Sequence, residues 1–90
     1  MTVESGHIHV TAHAAEQYAL RHRRHALVDE LEAEILAAHA AGWVRQHMNR
    51  LSPVGGPMLA ISTPRATFIG YVDVDALVVV TCLPPSRAAA

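Results

Sequence analysis

The stretch Ile8-His9-Val10-Thr11-Ala12-His13-Ala14-Ala15-Glu16-Gln17-Tyr18-Ala19-Leu20-Arg21 decides how the rest of the chain is read. With His7 in front, its first residues alternate polar and apolar, the period of a half-buried strand. Thr11 then stands at an N-cap position, where its hydroxyl can accept from the free amides of the next turn. From Ala12 to about His25 the composition of Ala, Leu and Arg favours helix. A second helix is expected from about Ala26 to Ala41, with Leu27, Leu31, Ile35 and Ala38 on one face. Asp29, Glu30 and Glu32 suit the positive end of its dipole, and Gly42 ends it as a C-cap glycine.

Everything after Gly42 reads as strand and turn. Trp43 to Met48 alternates, Asn49 to Pro57 carries Ser-Pro and Gly-Gly-Pro loop signals, and Met58 to Thr63 is the next strand. Pro64-Arg65 turns the chain. Ala66 to Asp73 and Ala76 to Leu83 then form a hairpin around Asp73-Val74-Asp75. Ala76-Leu77-Val78-Val79-Val80 lacks polar alternation, so this strand is expected to be central and covered on both faces. Pro84-Pro85 stops it. The expected organisation is an N-terminal extension over 1–6, one domain over 7–83 and a flexible tail over 84–90. Strand, helix, helix and then three or four antiparallel strands make an α+β domain, with two N-terminal helices packed on one face of the sheet and the opposite face partly open.

At 90 residues the chain is enough for one domain. A domain of this size buries only about 60–65% of the surface its unfolded form exposes. Hydrophobic residues make up 51%, yet many are alanine, and the aromatics are one Trp, one Phe and two Tyr. The core must therefore rely on Val, Ile and Leu in thin layers, and a homodimer would supply burial that the monomer lacks. Seven basic residues, all arginine, stand against eight acidic ones, with seven histidines besides. Bulk charge does not announce a nucleic-acid binder. Arg21, Arg23 and Arg24 nevertheless crowd one stretch, and Asp29, Glu30, Glu32 and Glu34 the next. Cys82, the one cysteine, lies in an apolar run and reads as a small buried hydrophobe. No signal peptide or membrane span is recognisable, so a cytoplasmic protein is expected. No motif calls for a cofactor, and His7 and His9 on one strand face lack the partners a metal site needs.

Chemistry concentrates on the first helix. With about 100° per residue and His13 as zero, Leu20, Arg24, Gln17 and Arg21 fall between roughly −20° and +80°. One face thus carries an imidazole, an amide and two guanidinium groups. Guanidinium matches phosphate oxygens in two-pronged fashion, and histidine moves protons near neutrality. His13, Arg21 and Arg24 are the candidate catalytic residues for cleaving an RNA phosphodiester, with Gln17 as a contact. The competing reading is a solvated face whose arginines pair with Asp29, Glu30 or Glu32. Ala12, Ala15, Ala19 and Ala26 form the opposite, packing face, and His22 falls among them as a buried, hydrogen-bonded histidine. Trp43, Arg45 and His47 share a strand face and, with Arg50, make a second candidate nucleic-acid-binding surface. Trp43 could equally belong to the core.

The segment Ile8–Arg21 resembles the opening of small proteins of the RelE/ParE toxin superfamily, through His13-Ala14, Glu16, Tyr18 and Arg21, with Gln17 where that family commonly has Arg. The closing strand from Leu77 to Leu83 is similar to theirs as well. The resemblance implies a RelE-like βααβββ fold with a curved, mainly antiparallel sheet. It also implies two kinds of role. One is a non-catalytic interaction protein, of the kind phages encode, that binds a host protein or nucleic acid. The other is a toxin-type endoribonuclease that cleaves mRNA, usually on the ribosome, and is held by an antitoxin partner. Ribosome-dependent members are strongly basic, whereas this chain is near neutral and its late strands offer only Arg65, Tyr71 and Thr81. An active site here would draw on the first helix and the Trp43–Arg50 segment.

Overall fold

The computed structural model describes residues 7–84, with the side chains of 48–50 left out, so the extension over 1–6 and the tail beyond Pro84 lie outside the described residues. The order is β1 (Ile8–Val10), α1 (Ala12–His22), α2 (Val28–Ala40), β2 (Val44–Leu51), β3 (Pro57–Ser62), β4 (Thr67–Asp73) and β5 (Ala76–Cys82). Four strands follow the helices, one more than the βααβββ expectation. They join β1 in a five-stranded sheet of order β1-β5-β4-β3-β2. The β1–β5 pairing is parallel and the other three are antiparallel, so the α+β sheet is mixed.

Local signals fix the element ends. Thr11 sits in extended geometry and its Oγ1 accepts from the Ala14 amide at 3.2 Å, capping α1. At the end of α2, Gly42 adopts a φ of 85°. Its amide donates to the His39 carbonyl and that of Trp43 to the Ala38 carbonyl, which closes the helix in a Schellman turn. Other boundaries differ from the sequence expectation. α1 stops at His22 because Arg23 takes left-handed geometry (φ 52°, ψ 40°). α2 starts at Val28, leaving Leu27 as an N-cap that is 70% exposed. Only 52–56 of the expected loop is loop: the Ser52 amide donates to the Gly56 carbonyl at 2.7 Å, so β2 runs to Leu51 and β3 begins at Pro57.

Ala14 and Tyr18 of α1 and Leu31, Ile35 and Ala38 of α2 share one buried cluster with Val10, Ile61, Phe68, Leu77, Val79 and Cys82. The packing face of α1 is therefore centred on Tyr18, about 100° round the helix from the alanine face expected; Ala15 and Ala26 pack against its margin and Ala12 is exposed. Tyr18 wins because its ring removes far more apolar surface from water than a row of methyl groups. It lies between His22 and Phe68, with ring centroids 5.2 and 5.9 Å away. Carboxylates of α2 tie this layer to the sheet. Glu32 accepts from the Val10 amide at 3.2 Å, and Glu34 accepts from both the amide and Nε of Arg65.

β5 is central, between β1 and β4, but among the described residues the helices cover only one side of it; Val78, Val80 and Thr81 are half-buried on the other side. The expected burial on both faces is thus corrected: the two helices span a single face. Ile69 pairs with Thr81 while Gly70 pairs with Val79, so Val80 is an extra residue that bulges β5. Gly70 lies opposite the disturbance. A Cβ there would overlap the Val78 carbonyl oxygen and come within 3.1 Å of the Val79 Cα. Gly70→Ala should therefore lower unfolding free energy by about 1–3 kcal/mol in urea titration. Gly56→Ala, with open space around it, should be nearly neutral. Equal stability of the two variants would refute the assigned β4–β5 register.

Candidate functional site

Of the expected stripe, His13, Gln17 and Arg21 lie on α1 and Arg24 lies past its end. His13 is exposed in the first turn and Gln17 is half-buried. Arg21 lies at the edge of the packed face and donates from Nη1 to the Cys82 carbonyl at 2.7 Å. His22, the next residue, donates from Nε2 to the Leu83 carbonyl at 2.9 Å, since a carbonyl can only accept. The last turn of α1 thus grips two successive carbonyls where β5 ends. His22 is hydrogen-bonded as expected, but it is half-buried rather than buried. Arg24 is past the helix end and lies with His22, Glu34, Pro64 and Arg65 around a separate cavity. Helical angles cannot place a residue once the helix has stopped.

Nor do the α1 arginines pair with the acidic run. Among the described residues, the ion pairs join Arg65 in the β3–β4 turn to Glu34 at 2.6 Å and to Glu30 at 3.2 Å. Hydrogen bonding to Glu34, and then to the Tyr18 hydroxyl, holds the Arg65 guanidinium above its ordinary pKa. Cys82 is fully buried under α1. Burial pushes its thiol up to about 11, against the opposing pull of the Arg21 charge. It is a packing residue at neutral pH.

The second expected surface is brought together. Arg45 pairs with Ala60 on β3, and Ala60 with Ile69 on β4, so the three stand in one row across the sheet. Ala60 and Ile69 are buried yet stand outside the helix-side cluster, which puts this row on the uncovered face. Trp43, 56% exposed, borders a shallow depression there with Arg45 and Ala60, so it is a surface residue. Beside it opens a cavity of about 640 Å³ with His47, Met58, Ile69, Tyr71, Val80 and Thr81 in its lining. Its volume is within the range of small-molecule and single-base sites. The side chain of Arg50 lies outside the description.

Met58, Ile69, Val80 and the rings of His47 and Tyr71 supply apolar and π surface, while the imidazole, phenol and Thr81 hydroxyl can hydrogen-bond. Such a lining can hold a flat ring and recognise its edges. Sequence reading singled out His47 but missed Met58, Ile69 and Val80 as its partners. The Ile69/Tyr71 alternation was visible; the bulge that adds both Val80 and Thr81 to the same wall was not. Among the described residues there is no group of three side chains able to hold a metal ion, and no helix is long and apolar enough to cross a membrane.

The thiol has a measurable consequence. Its folded pKa is raised from 9.0 to about 11, so its contribution to stability is complete below pH 9 and is lost as pH rises toward 11. The native chain should resist iodoacetamide at pH 8 and react once unfolded in urea. The difference in stability between wild type and Cys82→Ala should shrink across that alkaline window. Rapid alkylation of the folded chain would contradict the buried placement of Cys82.

Compared with known proteins, the chain matches no family model, no curated protein and no solved structure.

Proposed function

We propose that this chain is a non-catalytic interaction protein with a RelE-like fold, and that it binds single-stranded RNA on the uncovered face of its sheet. The observation that carries this reading is the row of Trp43 and Arg45 beside the cavity that His47 and Tyr71 line. Aromatic rings stack on bases whatever their identity, and a guanidinium meets the phosphate backbone. The α1 stripe supports binding less well. Arg21 would have to give up the Cys82 carbonyl to reach a phosphate, and Arg24 stands past the helix end at a cavity that His13 does not line.

Fluorescence anisotropy with a labelled oligouridine tests the reading. Trp43→Ala should weaken binding about tenfold, the worth of one stacked base. Arg45→Ala should reduce the slope of log affinity against log salt by about 0.7. If Trp43→Ala binds as tightly as wild type, the uncovered face is not the RNA surface.

One observation favours a second reading, an endoribonuclease of the toxin type. An imidazole, a phenol and a hydroxyl line one cavity, the groups that general acid–base cleavage of RNA requires. Binding is preferred because the exposed Trp43 and Arg45 beside that cavity supply a stacking ring and a phosphate contact. On the preferred reading, purified protein leaves the oligouridine intact. Cleavage that disappears in His47→Ala would establish the enzyme instead.

A further inference from the structure

We propose that the cavity where α1 ends is a binding site for a small phosphate monoester, held by Arg24 and Arg65. The cavity has a volume of about 490 Å³ and is lined by His22, Arg24, Glu34, Pro64 and Arg65. It lies on the helix side of the molecule, so this site is independent of the RNA reading. The left-handed turn at Arg23 redirects the chain and brings Arg24 to the cavity. Arg24 is exposed and, among the described residues, has neither an ion pair nor a side-chain hydrogen bond. Its fork of N–H groups is uncommitted.

Arg65 is fixed rather than free. Glu34 takes its Nε and backbone amide and Glu30 takes Nη2, so the plane of the guanidinium is set by α2. A further hydrogen bond, to the Tyr18 hydroxyl, helps to fix the group, and its remaining donors are oriented before any ligand arrives. His22 is likewise pinned, by its stack on Tyr18 and its bond to Leu83. The lining therefore presents two guanidinium groups against the one carboxylate of Glu34. That balance suits an oxyanion. The carbonyl end of α1 and the nearby Glu30 disfavour dense negative charge, which selects a single phosphate over a polyphosphate. A bare phosphate would leave most of about 490 Å³ empty. The flat faces of His22 and Pro64 can pack against an organic substituent.

Titration of the isotopically labelled chain with phenyl phosphate, followed by amide chemical shifts, tests this. At constant ionic strength, saturable shifts are expected at residues 22–24, 33–35 and 65–66, with inorganic phosphate binding more weakly at the same amides. Arg24→Ala and Arg24→Gln should each weaken phenyl phosphate about tenfold or more, the loss of one charge-assisted contact. Arg23→Gly removes an equal charge at a left-handed position that glycine accepts, and should leave the affinity unchanged. Shifts that never saturate, that follow sodium chloride equally well, or that persist in both Arg24 variants would overturn the proposal.

Discussion

In a flat strand Val79 and Cys82, three residues apart, would point to opposite faces of the sheet. The extra residue at Val80 brings them to the same side. Both then reach the helices, and Cys82 comes under the last turn of α1, where its carbonyl receives Arg21. On the other side the bulge turns Val80 and Thr81 into one wall of the open cavity. A single irregularity therefore defines both the core and the surface opposite it. It needs a strand across from it that tolerates close approach, which Gly70 supplies. Core packing and the candidate site are coupled through β5: a change that straightened this strand would alter both.

The sequence was most legible where the cause is local. Thr11 caps the helix that follows it and Gly42 closes the one before it, because each acts within a turn of its own position. The hairpin pairing of Asp73 with Ala76 is local in the same sense. What the sequence did not reveal depends on distant partners. The parallel pairing of Ile8 with Leu77 spans almost the whole domain, and the acidic run on α2 finds Arg65 rather than the nearer arginines. Helical periodicity gives the relative angles of side chains but not which angle faces inward. On α1 that was settled by Tyr18 meeting Phe68. No glycine marked the end of that helix; Arg23 takes the left-handed position itself.

The same division applies to the candidate sites. Period-two alternation placed Arg45 with His47, and the structure keeps both on the uncovered side. Whether Trp43 was core or surface could not be read from alternation, since either face of an edge strand can be the buried one. The neighbour decides it: Val44 packs against the helix-side cluster, which leaves Trp43 and Arg45 to the other side. The arginine stripe is shortened for a different reason. Its geometry assumed a helix three residues longer than α1, and it treated Arg21 as free where a carbonyl at the end of β5 lay within reach.

A near-neutral chain can still present a cationic face, because binding responds to charge within a screening distance and not to the total. On α2, Glu30 and Glu34 are engaged by Arg65 and Glu32 by the Val10 amide, all on the covered side of the sheet. Asp73 and Asp75 stand at the tip of the β4–β5 hairpin. Arg45 is in register, through Ala60, with Ile69, four residues along β4 from Asp73. At about 3.3 Å per residue that separation is roughly 13 Å along the strand direction alone. It exceeds the screening length of about 8 Å at physiological ionic strength. The hairpin acids therefore do little to cancel Arg45 on the uncovered face. Overall charge balance argues against broad electrostatic capture of a polyanion. It does not argue against a short contact in which stacking on Trp43 supplies most of the affinity and one guanidinium sets the register of the backbone.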